Sequence, residues 1–251
     1  MGITKGIINN GLANITQKII RILDQLLLVP FFLTTWGVEY YGEWLTLSIV
    51  PSILAFSDLG FGSAVCNGFV LAYASGNKQQ AANLYKSGFW VITSTVLLGT
   101  ILTAFIVMIG DYAGWFSKSV IVANDAIMAV TMMMASKLIL FYTQLAEGFY
   151  RGARRAATGS FLGSGNNLLN IIISIIILDA GYGVVGFALS HLLVAICYTI
   201  LYWIIGRRMI SFGCLKGKVK RNDIRMITTK GIGYLATPIW QSIYFQGTTF
   251  V

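Results

Sequence analysis

Asp58 lies in a run, residues 44–73, that holds no other charged side chain. It is one of several charges and amides set among apolar residues: Lys18, Arg21, Asp24 and Gln25 near the N-terminus, Lys137, Gln144 and Glu147 midway, and Asn167, Asn170 and His191 further on. A charge at the centre of a bilayer costs about 2.5–3.5 kcal/mol on insertion scales, so such groups face a protein interior or a watery cavity and often mark a transport path. Asp58 has two chemical uses. It can balance Lys18, Arg21 or Lys137, or it can hold a coupling cation. A buried ion pair without a transport role is the alternative.

The spacing in the first apolar stretch is the most informative. At 100° per residue, Asn10, Asn14, Gln17, Lys18, Arg21, Asp24 and Gln25 fall within an arc of about 120°, with Ile15, Ile19, Ile22, Leu23 and Leu26 opposite. A polar face this long reads as one wall of a cavity; the other reading has Lys18 and Arg21 reaching lipid phosphates from a half-helix. Arg21 and Asp24 can also pair at i,i+3. In the fourth stretch Lys137 and Gln144 share a face with Val130, Met133 and Phe141, with Glu147 at its edge and Asp125 near the far end. That face is either a second polar strip or a site where Lys137 pairs with Asp58 or Asp24. In the fifth, Gly163, Asn167, Asn170 and Ser174 form a small, polar stripe suited to hydrogen bonding between helices. His191 reads as a packed or interfacial histidine, with a proton relay as the other use. Gly60, Ala64 and Gly68 make a small-xxx-small row that admits a close neighbour, with Asp58 roughly opposite on one continuous helix.

These groups need helices to hold them. Of the 251 residues 56% are hydrophobic and 11% charged, against about a quarter charged in soluble domains. The balance implies an all-α, polytopic membrane protein. Apolar spans are expected at 10–33, 44–73, 87–109, 120–147, 160–178 and 183–206, with a seventh beginning near 231 and Pro51 able to kink the second. The expected organisation is a six-helix lobe over 1–206, a basic loop over 207–230, and the start of a second lobe over 231–251. Cys66, Cys197 and Cys214 have no pairing pattern or metal spacing, a single histidine argues against a His-rich metal site, and no cofactor is implied. No signal-peptide layout precedes the first span, which is expected to be retained.

The net charge is +9, which raises nucleic acid as a partner. Its distribution argues against that. Lys5, Lys78, Lys86, Arg151, Arg154 and Arg155 fall in alternate connections, and residues 207–230 hold eight Lys or Arg. The intervening connections near 34–43, 110–119 and 179–182 share one, Lys118. By the positive-inside rule the N-terminus and the basic loops are cytoplasmic. The basic loop then reads as topogenic charge, with contact to anionic lipid. The outer loops are too short for a catalytic domain, so no enzyme is expected. The tetrapeptide TKGI recurs at 4–7 and 229–232, each time ahead of an expected cytoplasm-starting span, as parallel repeats of a transporter would have it.

The run YYGEWLTL to SILAFSDLGFGSAV, residues 40–65, resembles the opening of bacterial polysaccharide flippases of the O-antigen type, within the multidrug, oligosaccharidyl-lipid and polysaccharide exporter superfamily. The similarity continues through QLAEGFYRGARRA, 144–156, and the asparagine-rich span after it. TPIWQSIYFQG, 237–247, looks like the opening helix of the family's second lobe. The resemblance implies a two-lobed helical transporter of twelve or more spans, of which this chain looks like the N-terminal lobe and the start of the next. It implies a lipid-linked oligosaccharide, carried on undecaprenyl pyrophosphate and moved across the bacterial inner membrane by alternating access. Lys18, Arg21 and Lys137 would then meet the diphosphate, and Gln17, Gln25, Gln144, Asn167 and Asn170 the sugars. Asp24, Asp58 or Glu147 would take a coupling sodium ion or proton. Other polysaccharide-assembly proteins are expected partners. The rival readings are a cation-coupled multidrug exporter of the same superfamily, and a membrane enzyme or scaffold of polysaccharide assembly.

Overall fold

The computed structural model describes residues 3–56, 60–114, 120–210 and 216–234, with backbone alone at 3–10, 14, 21, 25 and 53–56. The described chain is all α, in seven helices: α1 (Ile3–Phe56), α2 (Phe61–Ala74), α3 (Lys78–Tyr112), α4 (Ala123–Gly152), α5 (Ala156–Asp179), α6 (Val184–Arg208) and α7 (Arg221–Tyr234). Five are long and apolar enough to cross a membrane, α1 through its segment Gly11–Ser52, and α3 to α6 over their whole lengths. The fold is therefore that of a multi-pass membrane protein by length and composition. Its contacts divide into two units, Met1–Pro51 with Ile101–Ser136 and Ala157–Tyr198, and Ser52–Thr100 with Lys137–Ala156 and Thr199–Val251.

In the first unit, α1 is two helices joined at Gly37, whose φ of 77° and ψ of 171° no helix contains. Glycine alone adopts that backbone readily. Phe32 and Tyr41 stack with ring centroids 4.9 Å apart, although nine helical residues would separate them by about 13 Å. The chain thus folds back at Gly37, inside the stretch 34–43 expected as a loop. Packing rather than water exclusion holds helices together in lipid, and here it is aromatic. Phe32, Trp36, Trp44 and Phe187 pack at centroid distances of 4.9–6.1 Å, in a cluster with Ile121, Ala129, Met133 and Leu178. Polar clamps finish this end. The Trp36 indole donates to Tyr182 O at 3.1 Å. The Glu43 carboxylate accepts from Val120 N and Ile121 N at 2.7 and 3.0 Å, fixing the entry to α4. Asp125 occupies the first turn of α4, where the helix dipole favours a negative charge.

The second unit departs from expectation in two places. The apolar run 44–73 is not one helix: α1 stops at Phe56 and α2 starts at Phe61 behind Gly60, a left-handed N-cap at φ 62°. The tight backbone follows from the neighbours. A β-carbon on Gly60 would overlap the Gly231 carbonyl, and one on Gly231 would overlap the Phe61 ring. The small-residue row therefore does admit a close helix, and that helix is α7. The second departure is α7 itself, lying across the expected loop 207–230 and the expected span start. Its buried residues Asp223, Ile227 and Gly231 recur every four positions, one stripe of a helix, while Arg221, Arg225 and Lys230 are exposed. Both TKGI copies lie inside helices, residues 4–7 in α1 ahead of its candidate span Gly11–Ser52 and 229–232 in α7.

Between α6 and α7 the chain runs along α3 as a strap. Gln79 Nε2 donates to Lys216 O at 3.2 Å, Asn83 Oδ1 accepts from Lys218 N at 2.8 Å, and Ser87 Oγ accepts from Lys220 N at 3.2 Å. Gly217 lies against the Ala82 backbone, where a side chain would not fit. Gln80 then reaches Asp223 Oδ1 at 2.9 Å. Asn77 caps α3 through its side chain to Gln80 N at 3.0 Å. Lys78 and Lys86, expected in a loop, are on α3.

Candidate functional site

Two groups of polar side chains stand within candidate spans, one in each unit. In the first unit, α1 packs through Ala13 and Ile20, both buried, with Gln17 half-buried beside them. Ile15, Ile19, Ile22 and Leu26 are exposed on the apolar side, as a lipid-facing surface requires. Lys18 and Asp24 are exposed. The side chains of Arg21 and Gln25 lie outside the described residues.

Gln17 meets α5 and α6 at Gly163. A β-carbon there would lie 3.5 Å from the Tyr198 hydroxyl and 4.0 Å from Gln17 Nε2. Gly163 thus lets three helices bring polar groups together. Eleven residues along α5, Ser174 Oγ and His191 Nε2 of α6 are hydrogen-bonded at 3.2 Å, and the imidazole packs on Phe187 at 4.5 Å. The α5 stripe is therefore a helix–helix seam at both ends, and His191 is a packed histidine. Between those ends the seam is incompletely satisfied. Asn170 Nδ2 bonds back to Asn166 O at 3.1 Å. Ser164 Oγ, Asn166 Oδ1 and Asn170 Oδ1 are buried with no hydrogen-bond partner among the described residues. Asn167 is half-buried. A buried acceptor left unpaired costs about 1–3 kcal/mol, so this end of α5 is equipped for a water or a polar ligand group.

In the second unit, Lys137 is half-buried on α4. Gln144 packs directly on Gly62 of α2, and its carbonyl oxygen is buried without a partner among the described residues. Glu147 forms an i,i+4 ion pair with Arg151. Asp58 lies outside the described residues, as do Cys214 and the stretch 237–247. Lys18, Asp24, Asn167 and Asn170 belong to one unit, and Lys137, Gln144 and Glu147 to the other.

Several polar groups were not singled out by sequence reasoning. The ladder Gln79, Asn83 and Ser87 had a signal, its four-residue spacing, but Lys78 and Lys86 made the segment read as a loop. Glu43 was legible only as a loop acid. Among the described residues, no group of three or more His, Cys, Asp or Glu converges as a metal site. The first unit offers exposed charge of both signs on α1 and unpaired oxygen acceptors on α5, and the second offers one such acceptor, Gln144, on α4. Each set has the chemistry to hydrogen-bond a polar solute. No protein-family model, curated protein or solved structure matches the chain.

Proposed function

We propose that the chain forms a six-span lobe of a two-lobed transporter that moves a lipid-linked, diphosphate-bearing oligosaccharide across the bacterial inner membrane by alternating access. The observation that carries this reading is the polar face of α1. Lys18 and Asp24 are exposed, and Gln17 half-buried, inside a helix apolar enough to span a bilayer. Charge maintained at that depth marks a solute path more often than a scaffold. The fold-back at Gly37 supports a six-span count, since it turns the Gly11–Ser52 segment into two crossings. With the connections at 75–77, 153–155 and 209–220 cytoplasmic, the short ones near 37, 115–122 and 180–183 face the periplasm.

In this reading Lys18, Arg21 and Lys137 meet the diphosphate, the amides of Gln25, Gln144, Asn167 and Asn170 meet the glycan, and Asp24 or Asp58 takes the coupling ion. The seam near Asn166 and Asn170, with its unpaired acceptors, suits a ligand rich in hydroxyl donors. The test is deletion of the gene for the complete protein, followed by extraction of membrane lipids. Accumulation of lipid-linked repeat units with loss of surface glycan is expected. Unchanged glycan with intracellular build-up of organic cations would replace this reading with a multidrug exporter.

A further inference from the structure

The second unit contains a recess of about 580 Å³ lined by Ala153, Arg155, Ile205, Arg208 and Met209. We propose that it is a binding site for a phosphate group carried next to an apolar chain, the chemistry of an anionic phospholipid. The inference does not depend on the transport reading.

Its charge is unusual among its neighbours. Five arginines stand at the adjoining helix ends. Arg151 is paired with Glu147, and Arg207 lies 5.4 Å over the Trp203 ring. Arg154, Arg155 and Arg208 form no ion pair among the described residues, and Arg155 and Arg208 line the recess. Two guanidiniums supply forked donors that match phosphate oxygens. Ile205, Met209 and Ala153 supply apolar wall that a fully solvated anion would not need. The volume falls within the usual range for ligand pockets, about 300–1,000 Å³.

The backbone that carries Arg155 is also fixed in place. Arg155 N bonds to Tyr150 O at 2.8 Å and Arg154 N to Arg151 O at 3.0 Å, a Schellman end to α4. Tyr150 is itself buried, and its hydroxyl donates to Tyr202 O at 2.8 Å. α5 begins at Ala156, directly after Arg155, so unpaired helix amides that favour an anion follow the side chain at once. Arg208 closes α6.

The test uses the full chain purified in detergent micelles, with native mass spectrometry as readout. Dioleoyl phosphatidylglycerol, dioleoyl phosphatidylcholine and inorganic phosphate are the probes. Each surface arginine is worth about 1 kcal/mol toward an anionic lipid, so R208Q is expected to weaken phosphatidylglycerol retention about fivefold and R155Q/R208Q about thirtyfold. The control K216Q/K218Q removes equal charge from exposed strap lysines and is expected to retain the lipid. R208Q alone carries the test if the double variant elutes differently from wild type. Phosphatidylglycerol retained in millimolar phosphate identifies the lipid as the occupant. Displacement, with an arginine-dependent phosphate adduct, identifies free phosphate by the same chemistry. Equal loss in the arginine and lysine variants, or no preference over phosphatidylcholine together with no phosphate adduct, overturns the proposal.

Discussion

Gly60 and Gly231 meet backbone to backbone, and neither has room for a β-carbon. Gly60→Ala would add a left-handed alanine, costing about 1–2 kcal/mol, to an overlap worth about 1–3 kcal/mol. It should lower stability by more than about 2 kcal/mol and loosen α7. Gly233→Ala, with open space around it, should stay within about 0.5 kcal/mol of wild type. Thermal unfolding in detergent and amide exchange along α7 measure both.

Asn83 serves two donors with one oxygen, Gln79 Nε2 at 3.1 Å and Lys218 N at 2.8 Å. Asn83→Leu removes that acceptor while filling similar space. A loss of about 1–3 kcal/mol is expected, concentrated in the strap. Limited proteolysis should cut first within 216–220, and an unchanged cleavage pattern would count against the ladder as the strap's anchor.

Arg154 holds a left-handed backbone, φ 58°, at the end of α4, where the matching position after α5 is Gly181 at φ 76°. Arg154→Gly relieves strain of about 1 kcal/mol and should raise the melting temperature slightly. A fall instead would mean that the arginine side chain contributes more than the backbone strain removes.

Gln144 buries an unpaired carbonyl oxygen against Gly62. Gln144→Leu should therefore leave stability equal or improve it by about 1 kcal/mol. Under the proposed function the same variant loses export of the lipid-linked glycan. Retained export alongside improved stability would assign Gln144 to packing alone.

Arg21 tests the polar face of α1. Arg21→Ala in the complete protein is expected to abolish export and leave membrane insertion intact, and Lys18→Gln should weaken it in the same direction. Surface glycan and the amount of protein in the membrane fraction are the two readouts. Normal glycan in Arg21→Ala would place that side chain outside the mechanism.

The long apolar helices were legible because hydrophobic runs bounded by charge say where a bilayer can be crossed. α4, α5 and α6 lie within a few residues of the runs 120–147, 160–178 and 183–206. The turn at Gly37 was legible as a loop between two such runs. The break before Gly60 was not, since the run is apolar on both sides of Asp58 and only the approach of α7 makes a left-handed glycine necessary. α7 was hidden for the converse reason: its buried stripe is sparse and its charges dominate the composition. At the candidate site, the α5 stripe announced a helix–helix seam through its spacing. Which acceptors would stay unpaired depended on partners from other helices, which no single stretch of sequence specifies.

The strap on α3 also limits its own extent. Successive rungs advance about 6.0 Å along the helix, four residues at 1.5 Å each, but about 6.6 Å along an extended chain, two residues at 3.3 Å. The two scales slide apart like a vernier, and the rungs run 3.2, 2.8 and 3.2 Å, tightest at Asn83 in the middle. A fourth rung would fall out of reach. The chain leaves this track and enters α7 at Arg221, one residue after the last rung. A two-residue insertion in the strap would therefore add slack rather than another rung.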